Sequence, residues 1–587
     1  MKYTNLCDIY LELESTTKRL KKTFIIAKLI KKTKTDELPV ILLLMQGRLF
    51  PAWDDTKIGF SERYAIKAIN IATGRDVKEI ENEFNKKGDL GLVAEEFTKR
   101  KKQASLVSKE LTTKKVHDNL TKLAKIEGPG SVDIKIKLVA ELLTSARPIE
   151  ARYIIRTVLE QMRVGVGSGS MRDAIVWAEF DYYKKYNDEE DKFELTEEER
   201  KVYNEYVETV QEAYDKTNDF SKVVKIVREK GLKAVKAVDI TLGKPVKVML
   251  FQKVKDMKEA FKTVGKPAAL EFKYDGFRMQ IHIKDTKITI FTRRLENVTK
   301  QFPDVVRFVK EHITAKNVIL DCEAVGYDKK TKKYIAFQRI SQRIKRKYDI
   351  EQMSRDYPVE LNIFDILYYK DESIIKMPFK DRRKILERII REPKAKQIVL
   401  AKQIVTDNLK EADEFYKRSL AAGNEGVMVK ALDKPYKPGS RVGYGVKVKP
   451  IMETLDLVIV GAQWGEGKRA KWLTSYKLAC RDRGKYLTIG KVGTGFKELQ
   501  GSGVSFNDMT KLLKKNIISE KGKTVEVKPD VVIEIAYEEI QKSPTYTSGY
   551  ALRFPRVVRL REDRAPRECS SLSEVKRLYE EQRGRGK

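Results

Sequence analysis

The stretch EFKYDGFRMQ (271–280) contains residues whose types and spacing suit covalent chemistry. Lys273 follows apolar, strand-like residues, Asp275 and Gly276 form a turn, and Arg278 comes next. A lysine that is partly removed from water beside other cations gives up its proton more easily, and the neutral amine can attack phosphorus. A guanidinium such as that of Arg278 can hold a phosphate. The pattern alone is weak evidence, because any Asp-Gly turn can produce it.

Further charged and aromatic residues follow Lys273 in an order that suits a nucleoside triphosphate. Each of them has a plain explanation when it is taken singly, as a surface charge or as a core aromatic. Together with Lys273 they provide a nucleophile, cations for three phosphates, two carboxylates for Mg²⁺ and an aromatic ring for a base. These residues are Arg293, Arg294, Glu323, Phe364, Glu425, Arg441, Lys447 and Lys449.

Three regions of different patterning surround these residues. Residues 1–235 show apolar positions at helical spacing, which predicts an all-α domain. Residues 236–450 alternate strands with helices and predict an α+β domain that contains Lys273. Residues 451–587 show short strands with Gly-rich turns, which favour a small β-barrel followed by a C-terminal helical tail. The predicted fold class is therefore multidomain.

The charge balance points to a polyanionic partner. Lys and Arg total 119 against 85 Asp and Glu, which gives a formal net charge of +34. Positive surfaces bind nucleic acid because each neutralised phosphate releases counterions. A generally basic proteome would give the same balance, so charge alone does not identify the partner.

Cysteine and histidine content excludes several kinds of site. The widely spaced cysteines form no C-x-x-C zinc pattern and predict no disulfide framework. They are Cys7, Cys322, Cys480 and Cys569. The chain has only 3 histidines, too few for a His-rich metal site and little material for a Ser-His-Asp triad. No signal peptide pattern is visible, and the apolar runs are shorter than the ~20 residues of a membrane span. We expect a soluble, cytoplasmic protein.

The order of motifs resembles the covalent nucleotidyltransferase superfamily. The motifs are K-x-D-G-x-R, R-R, D-x-E, F-D, E-G-V-M-V-K and K-x-K, with RLREDR near the C-terminus in place of R-x-D-K. More specifically, the chain resembles the archaeal and eukaryotic replicative type of ATP-dependent DNA ligase. YIIRTVLEQMRVGVG (153–167) resembles that family's helical DNA-binding domain, and ETLDLVIVGAQWGEGKRAKWLTSYKLA (453–479) resembles its OB-fold barrel. The resemblance covers nearly the whole chain.

The resemblance implies a role for each matching residue. Lys273 would attack the α-phosphate and hold AMP, while Glu271 and Phe364 would contact adenine. Glu323 would meet the ribose and, with Glu425, would help to bind metal. Sugar and phosphates would be contacted by Arg278, Arg293, Arg441 and Lys447, and Lys449 would stabilise the α-phosphate charge. The residues expected to close over pyrophosphate are Arg561, Asp563 and Arg564.

The implied activity is the sealing of nicks in double-stranded DNA during replication, repair and recombination. The implied cofactors are ATP and Mg²⁺, with Mn²⁺ as a substitute, and the implied partner is nicked DNA. We expect a monomer associated with the nucleoid. Related archaeal ligases can carry a sliding-clamp motif where this chain has residues 101–116. Here Gln103 is followed by Leu106 and Val107 instead of two aromatics, which should weaken docking.

Two positions depart from the family pattern. Gly445 stands where the family often has a tryptophan, two residues before the first lysine of K-x-K, so one wall of the pocket is missing. Arg564 stands where a lysine is usual, and arginine keeps the charge but changes the geometry.

Rival functions stay open at this point. An RNA ligase or an mRNA capping enzyme shares the K-x-D-G core but not the large helical N-terminal region. An NAD-dependent ligase would need a four-cysteine zinc site. A non-catalytic DNA-binding protein would not need an intact lysine and carboxylate set. GAQWGEGK (461–468) resembles a P-loop, but its glycines are out of register.

Overall fold

The computed structural model describes residues 1–54, 56–100, 110–335, 340, 342–344, 348–393, 395–450, 454–465, 469, 471–497 and 504–582. The chain divides into two compact units. Unit 1 comprises Met1–Leu250, Gly276–Leu400 and Asp433–Val442. Unit 2 comprises Phe251–Asp275, Ala401–Leu432 and Gly443–Lys587. The units are interleaved along the sequence, so the boundaries 1–235, 236–450 and 451–587 stay predictions.

The N-terminal region of unit 1 is helical, as its periodicity predicts. One short strand pair, β1 Tyr186–Asn187 and β2 Lys192–Phe193, interrupts it. The helices are α1 Tyr3–Ser15, α2 Arg19–Lys32, α3 Leu38–Met45, α4 Glu62–Thr73, α5 Val77–Lys87, α6 Leu90–Lys99, α7 Thr113–Lys125, α8 Ser131–Ser145, α9 Pro148–Val158, α10 Ser168–Glu179, α11 Glu197–Thr217 and α12 Phe220–Lys236.

Polar side chains fix where several of these helices begin. Thr196 Oγ1 accepts from Glu199 N at 3.2 Å, and a Glu199 carboxylate oxygen accepts from Thr196 N at 3.0 Å, a reciprocal cap at the start of α11. Asp89 Oδ1 accepts from Gly91 N at 2.8 Å at the start of α6. Asp89 also binds the buried Arg156 of α9, with Nη2 and Oδ2 2.8 Å apart. This ion pair ties the two helices together.

The segment that follows α12 packs against a strand of unit 1. Gly243 N donates to His282 Nδ1 at 3.0 Å, and Val246 N donates to Gln280 Oε1 at 2.7 Å. His282 Nε2 lies 3.0 Å from the same Gln280 oxygen, so Nε2 carries the proton and the ring is neutral. Complete burial lowers the pKa of His282 from 6.5 to about 3.

The middle of the chain alternates strands and helices. The strands are β3 Leu250–Val254, β4 Ala268–Lys273, β5 Phe277–Lys284, β6 Lys287–Thr292, β7 Asn317–Gly326, β8 Val359–Tyr369, β9 Glu372–Ser373, β10 Ile398–Leu400, β11 Gln403–Thr406, β12 Gly426–Ala431 and β13 Arg441–Val448. The helices are α13 Met257–Val264, α14 Pro303–His312, α15 Ile350–Asp356, α16 Phe379–Ile389 and α17 Leu409–Ala421.

These strands form two separate sheets. In unit 1 the order is β10-β8-β7-β5-β6, with β9 beside β8, around an apolar core that includes Met279, Leu320 and Ile363. In unit 2 the order is β11-β4-β12-β13-β3, so β4 and its Lys273 lie between two neighbours. The prediction of an α+β region is confirmed.

The C-terminal region of unit 2 is rich in strands. Its main sheet has the order β16-β15-β14-β18-β17, and β19 pairs with both β14 and β22. The OB-fold barrel itself stays a prediction. The strands are β14 Leu455–Trp464, β15 Leu473–Asp482, β16 Lys485–Val492, β17 Ile517–Lys521, β18 Thr524–Val527, β19 Val532–Ala536, β20 Glu539–Lys542, β21 Tyr550–Arg553 and β22 Arg556–Leu560. The helices are α18 Phe506–Lys514 and α19 Leu572–Glu581, the latter matching the predicted helical tail.

Two further expectations concern cysteines and membranes. The spacing of the cysteines predicts no disulfide framework, and the structure has them free. All four are also buried: Cys7, Cys322, Cys480 and Cys569. Among the described residues, no helix combines the length and the apolar character that a membrane span requires.

Candidate active site

Strand register brings the predicted residues of unit 2 onto neighbouring positions. Lys273 at the end of β4 pairs with Gly426 at the start of β12. Glu271 pairs with Met428, which pairs in turn with Lys447 on β13. Gly426 is required at its position, because a Cβ there would lie 2.1 Å from the carbonyl oxygen of Val448. The close fit places Glu425 directly beside Lys273.

An ion cluster that is largely shielded from solvent is formed by Lys273, Glu425 and Lys449. Lys273 Nζ donates to Glu425 Oε2, and Lys449 Nζ lies 2.6 Å from the same oxygen. The backbone strengthens the link, since Glu425 N donates to the Lys273 carbonyl at 2.8 Å. Burial alone would raise the pKa of the Glu425 carboxyl, but the ammonium groups of Lys273 and Lys449 hold it well below its usual range. Glu425 is therefore a carboxylate at neutral pH.

Lys447 adds a third cation to this neighbourhood. Burial, followed by the charges of Lys449 and Lys273, lowers the pKa of the Lys447 ammonium. Lys449 also lies 3.4 Å from a carboxylate oxygen of Glu538. Three lysines against the carboxylates of Glu425 and Glu538 still leave an excess of positive charge, which suits a polyphosphate.

Glu271 lies in a second polar cluster on the same sheet. Its side chain is 2% exposed. Lys430 Nζ lies 2.5 Å from Oε2, and Gln403 Nε2 donates to Oε1 at 2.9 Å. Both carboxylate oxygens therefore have partners on the flanking strands β12 and β11, which fixes the carboxylate in the sheet.

Arg278, a predicted site residue of unit 1, is held in place by side-chain hydrogen bonds. Its Nε donates to Asp321 Oδ1 at 2.7 Å, and its Nη2 donates to the other oxygen of Asp321. Tyr436 Oη donates to Asp321 Oδ2 at 3.0 Å, and burial followed by this carboxylate raises the pKa of the Tyr436 hydroxyl. The guanidinium also lies over the Phe364 ring, with Cζ 5.2 Å from the centroid. Arg278 and Phe364, both predicted site residues, thus meet in unit 1.

Glu323 lies on the strand next to Arg278, and Phe364 lies one strand further away. Glu323 on β7 is opposite Arg278 on β5, and Phe364 is half-buried on β8. Asp365, the residue after Phe364, is buried and binds Arg382 through two hydrogen bonds of 2.7 and 3.0 Å. This pair anchors the strand that presents Phe364.

The remaining predicted residues lie elsewhere. Arg293, in the turn after β6, and Arg441, at the start of β13, are exposed. The C-terminal residues form their own cluster in unit 2 around Asp456. Arg561 Nη1 and Arg564 Nη1 lie 2.7 and 2.9 Å from Asp456 Oδ2, and Asp563 accepts two hydrogen bonds from Arg561. Gln103, Leu106 and Val107 lie outside the described residues.

The available donors suit a metal ion that arrives with phosphate. In the described part of the chain, no three His, Cys, Asp or Glu side chains are arranged to hold a metal. Mg²⁺ commonly binds to one or two carboxylates and completes its shell with waters and substrate phosphates. Glu425 has the charge for such a role, although its Oε2 already contacts the ammonium groups of Lys273 and Lys449. The site fits a phosphate-borne Mg²⁺ better than a resident one.

The sequence analysis assigned no role to several residues that position the candidate site. Asp321 and Tyr436 hold Arg278, and Gln403 and Lys430 hold Glu271. Asp321 and Lys430 fall inside the D-x-E and E-G-V-M-V-K motifs, so a signal for them was present. Gln403 reaches Glu271 through the pairing of β11 with β4, and Tyr436 reaches Arg278 from the segment between β12 and β13, so only the structure reveals these two contacts.

Family models match three consecutive parts of the chain. They are described as DNA ligase N terminus over residues 2–176, ATP dependent DNA ligase domain over residues 248–449 and ATP dependent DNA ligase C terminal region over residues 469–564. The DNA ligase of Nanoarchaeum equitans is 47% identical and spans 100% of this chain and 99% of its own length. The DNA ligase of Thermococcus onnurineus is 42% identical and spans 99% and 98%. A solved structure called Pmar-Lig_PreS3 has a TM-score of 0.54 at 16% identity, covering 95% of this chain and 99% of its own, which shows a shared fold.

Proposed function

This chain belongs to the family of ATP-dependent DNA ligases, and on that basis we propose how its residues seal a nick. It is an enzyme that uses ATP and acts on nicked DNA. The RNA ligase, capping-enzyme and non-catalytic alternatives are not favoured, because the relatives that match over the full length are DNA ligases.

Lys273 is the residue to which we assign the covalent adenylate. The observation that carries this assignment is the cluster in which the Lys273 ammonium donates to the buried Glu425 carboxylate beside Lys449 and Lys447. A lysine that holds such a carboxylate is fixed in position, and the surrounding cations favour the approach of a triphosphate.

The first step joins Lys273 to AMP. The Lys273 ammonium first loses a proton to solvent. The neutral Nζ then attacks the α-phosphorus, a P–N bond forms and the bond to the bridging oxygen breaks, so that pyrophosphate leaves and the nitrogen gives up a second proton to solvent. Glu425 is a weak base because its pKa is held low, so we assign it to orient the amine rather than to carry the proton away. We assign Lys449, which shares Glu425 Oε2, to meet charge that develops on the α-phosphate.

The two later steps transfer the activated phosphate. An oxygen of the DNA 5′-phosphate attacks the same phosphorus, the P–N bond breaks and Lys273 regains a proton. The 3′-hydroxyl then attacks the 5′-phosphorus and gives up its proton to solvent, a P–O bond forms, and AMP leaves as the bond from that phosphorus to the bridging oxygen breaks. Each step is phosphoryl transfer, which depends on positioning and on neutralising charge.

A divalent cation would neutralise phosphate charge in this chemistry. We propose Mg²⁺, with Mn²⁺ as a substitute, and we assign Glu425 and Glu323 as its carboxylate contacts. The roles of Arg278, Arg293, Arg441 and Phe364 toward the nucleotide, and those of Arg561, Asp563 and Arg564 toward pyrophosphate, are proposals of the same kind. A monomeric state, association with the nucleoid and clamp docking through residues 103–107 also stay predictions.

Formation of the covalent adduct tests the central assignment. The protein is incubated with α-labelled ATP and Mg²⁺ in the absence of DNA. We expect a labelled protein whose P–N bond survives base and breaks in acid. Lys273→Ala should lose the label and keep its affinity for nicked DNA, whereas Lys410→Ala, which changes an exposed lysine of the same unit, should keep both. A label that persists in Lys273→Ala would disprove the assignment.

A further inference from the structure

Gly445 marks a gap in the candidate site that another residue fills. A Cβ atom at Gly445 would lie 2.8 Å from both Cε1 and Cζ of Phe251, closer than real side chains approach. The ring therefore occupies the space into which a side chain at position 445 would extend. Phe251 belongs to β3, the strand next to β13 in the sheet of unit 2.

The Phe251 ring lies on the face of the sheet that carries the lysines. Alternate residues of a strand point to the same face, so a side chain at 445 would share the face of Lys447 and Lys449. Lys430 pairs directly with Gly445 across β12 and β13, and its ammonium lies 2.5 Å from Glu271. The ring thus covers the strand next to β12, which carries Lys430, and Glu271 lies one strand further away, on β4.

Phe251 keeps part of its surface accessible. Its side chain is half-buried, unlike core phenylalanines such as Phe272, which is 9% exposed. A ring that covers a glycine on the neighbouring strand stabilises the sheet, and the accessible part of the Phe251 ring is available for contact. An apolar ring on the same face of a sheet as a fixed carboxylate suits a heterocyclic base, with shape set by the ring and orientation set by the polar group.

We propose that Phe251 supplies the apolar wall of the nucleotide site that Gly445 lacks, and that it contacts the purine base of ATP. This inference rests on the proposed function. It makes Phe251 a binding residue, and it explains how a chain with glycine at position 445 can dispense with the tryptophan that the family resemblance leads one to expect there.

Equilibrium binding tests the proposal without turnover. The ATP dissociation constant is measured by calorimetry in a Lys273→Ala background, with inorganic tripolyphosphate as a probe that has no base. We expect Phe251→Ala to weaken ATP binding by about tenfold and to leave tripolyphosphate binding unchanged, because only the base loses a contact. Phe251→Leu, which keeps much of the volume over Gly445, should show a smaller loss of the same kind. Ile518→Ala, an exposed site 66% accessible in the same unit, is the control.

A swap of the two positions sharpens the test. Gly445→Trp alone should weaken ATP binding, because the new side chain collides with the Phe251 ring. The double variant Phe251→Ala, Gly445→Trp should recover ATP binding to within about threefold of the parent. Equal weakening of ATP and tripolyphosphate by Phe251→Ala would mean that the ring acts through the sheet, and would overturn the proposal. An unchanged ATP constant would also overturn it. Failure of the proposed function shows up separately, as a label that persists on Lys273→Ala.

Discussion

Replacing Glu425 by glutamine tests the ion cluster that the proposed chemistry depends on. The Glu425 side chain is 10% exposed, and Lys449 Nζ lies 2.6 Å from its Oε2. At an effective dielectric constant of about 20, two unit charges at that distance attract by roughly 6 kcal/mol. Desolvation offsets several kcal/mol per ion, and removal of one partner from a buried pair costs about 3–5 kcal/mol. Glutamine can still accept one hydrogen bond, so we expect a loss of about 3 kcal/mol in the free energy of unfolding.

The assay compares Glu425→Gln with Glu534→Gln. Glu534 is also ion-paired in unit 2, to Arg559 at 2.7 Å, but it lies outside the candidate site. We expect Glu425→Gln to unfold at lower denaturant concentration and to form the lysine adenylate about 100-fold more slowly, because both lysines lose their anchor. Glu534→Gln should lose about 1 kcal/mol or less and should adenylate normally.

The pH dependence of this difference has a definite sign. The pKa of Glu425 is lowered from 4.5 in the folded chain, so its contribution to stability is present above that pH and is lost as the pH falls. The stability difference between the parent and Glu425→Gln should therefore shrink in acid. The reasoning is refuted if Glu425→Gln and Glu534→Gln unfold at the same denaturant concentration. It is also refuted if Glu425→Gln forms the adenylate within about threefold of the parent rate.

Two further predictions concern other parts of the chain. The pKa of His282 is about 3 in the folded chain and about 6.5 in the unfolded chain. The folded chain should therefore lose stability as the pH falls below about 6.5. From pH 7 to pH 5 that loss is about 2 kcal/mol, and His282→Asn, which can still accept from Gly243 N, should remove it from denaturation curves. The predicted clamp site is tested by calorimetry with a purified sliding clamp, where the double variant Gln103→Ala, Leu106→Ala should bind more weakly than the parent. An identical clamp affinity would remove this site from consideration.

The sequence predicts the class of each region well because periodicity is a local property. Apolar spacing predicts helices up to residue 235, and α12 ends at Lys236. Alternating β-branched residues predict the strands around Lys273, and β4 ends at that residue. The interleaving of two units is not visible in the sequence, because it depends on which distant strands pair.

Motif order also predicts part of the candidate site. The structure brings together three residues that are far apart in the chain. Lys273 and Lys449 both contact one carboxylate oxygen of Glu425. The supporting residues are harder to predict. Gln403 reaches Glu271 because β11 pairs with β4, and that pairing register has no signature in the residues themselves.

Gly445 shows why a departure from a family pattern cannot be judged from the strand that carries it. From the sequence, Gly445 predicts that one wall of the pocket is missing, because no residue near Lys447 in the chain could take the place of the tryptophan side chain. In the sheet, the space is filled from β3, almost two hundred residues earlier in the chain. Packing constrains the total side-chain volume at a position more tightly than it constrains which strand supplies that volume. The pair Phe251 and Gly445 should therefore be treated as one unit, so that a substitution at either position is judged by what stands at the other.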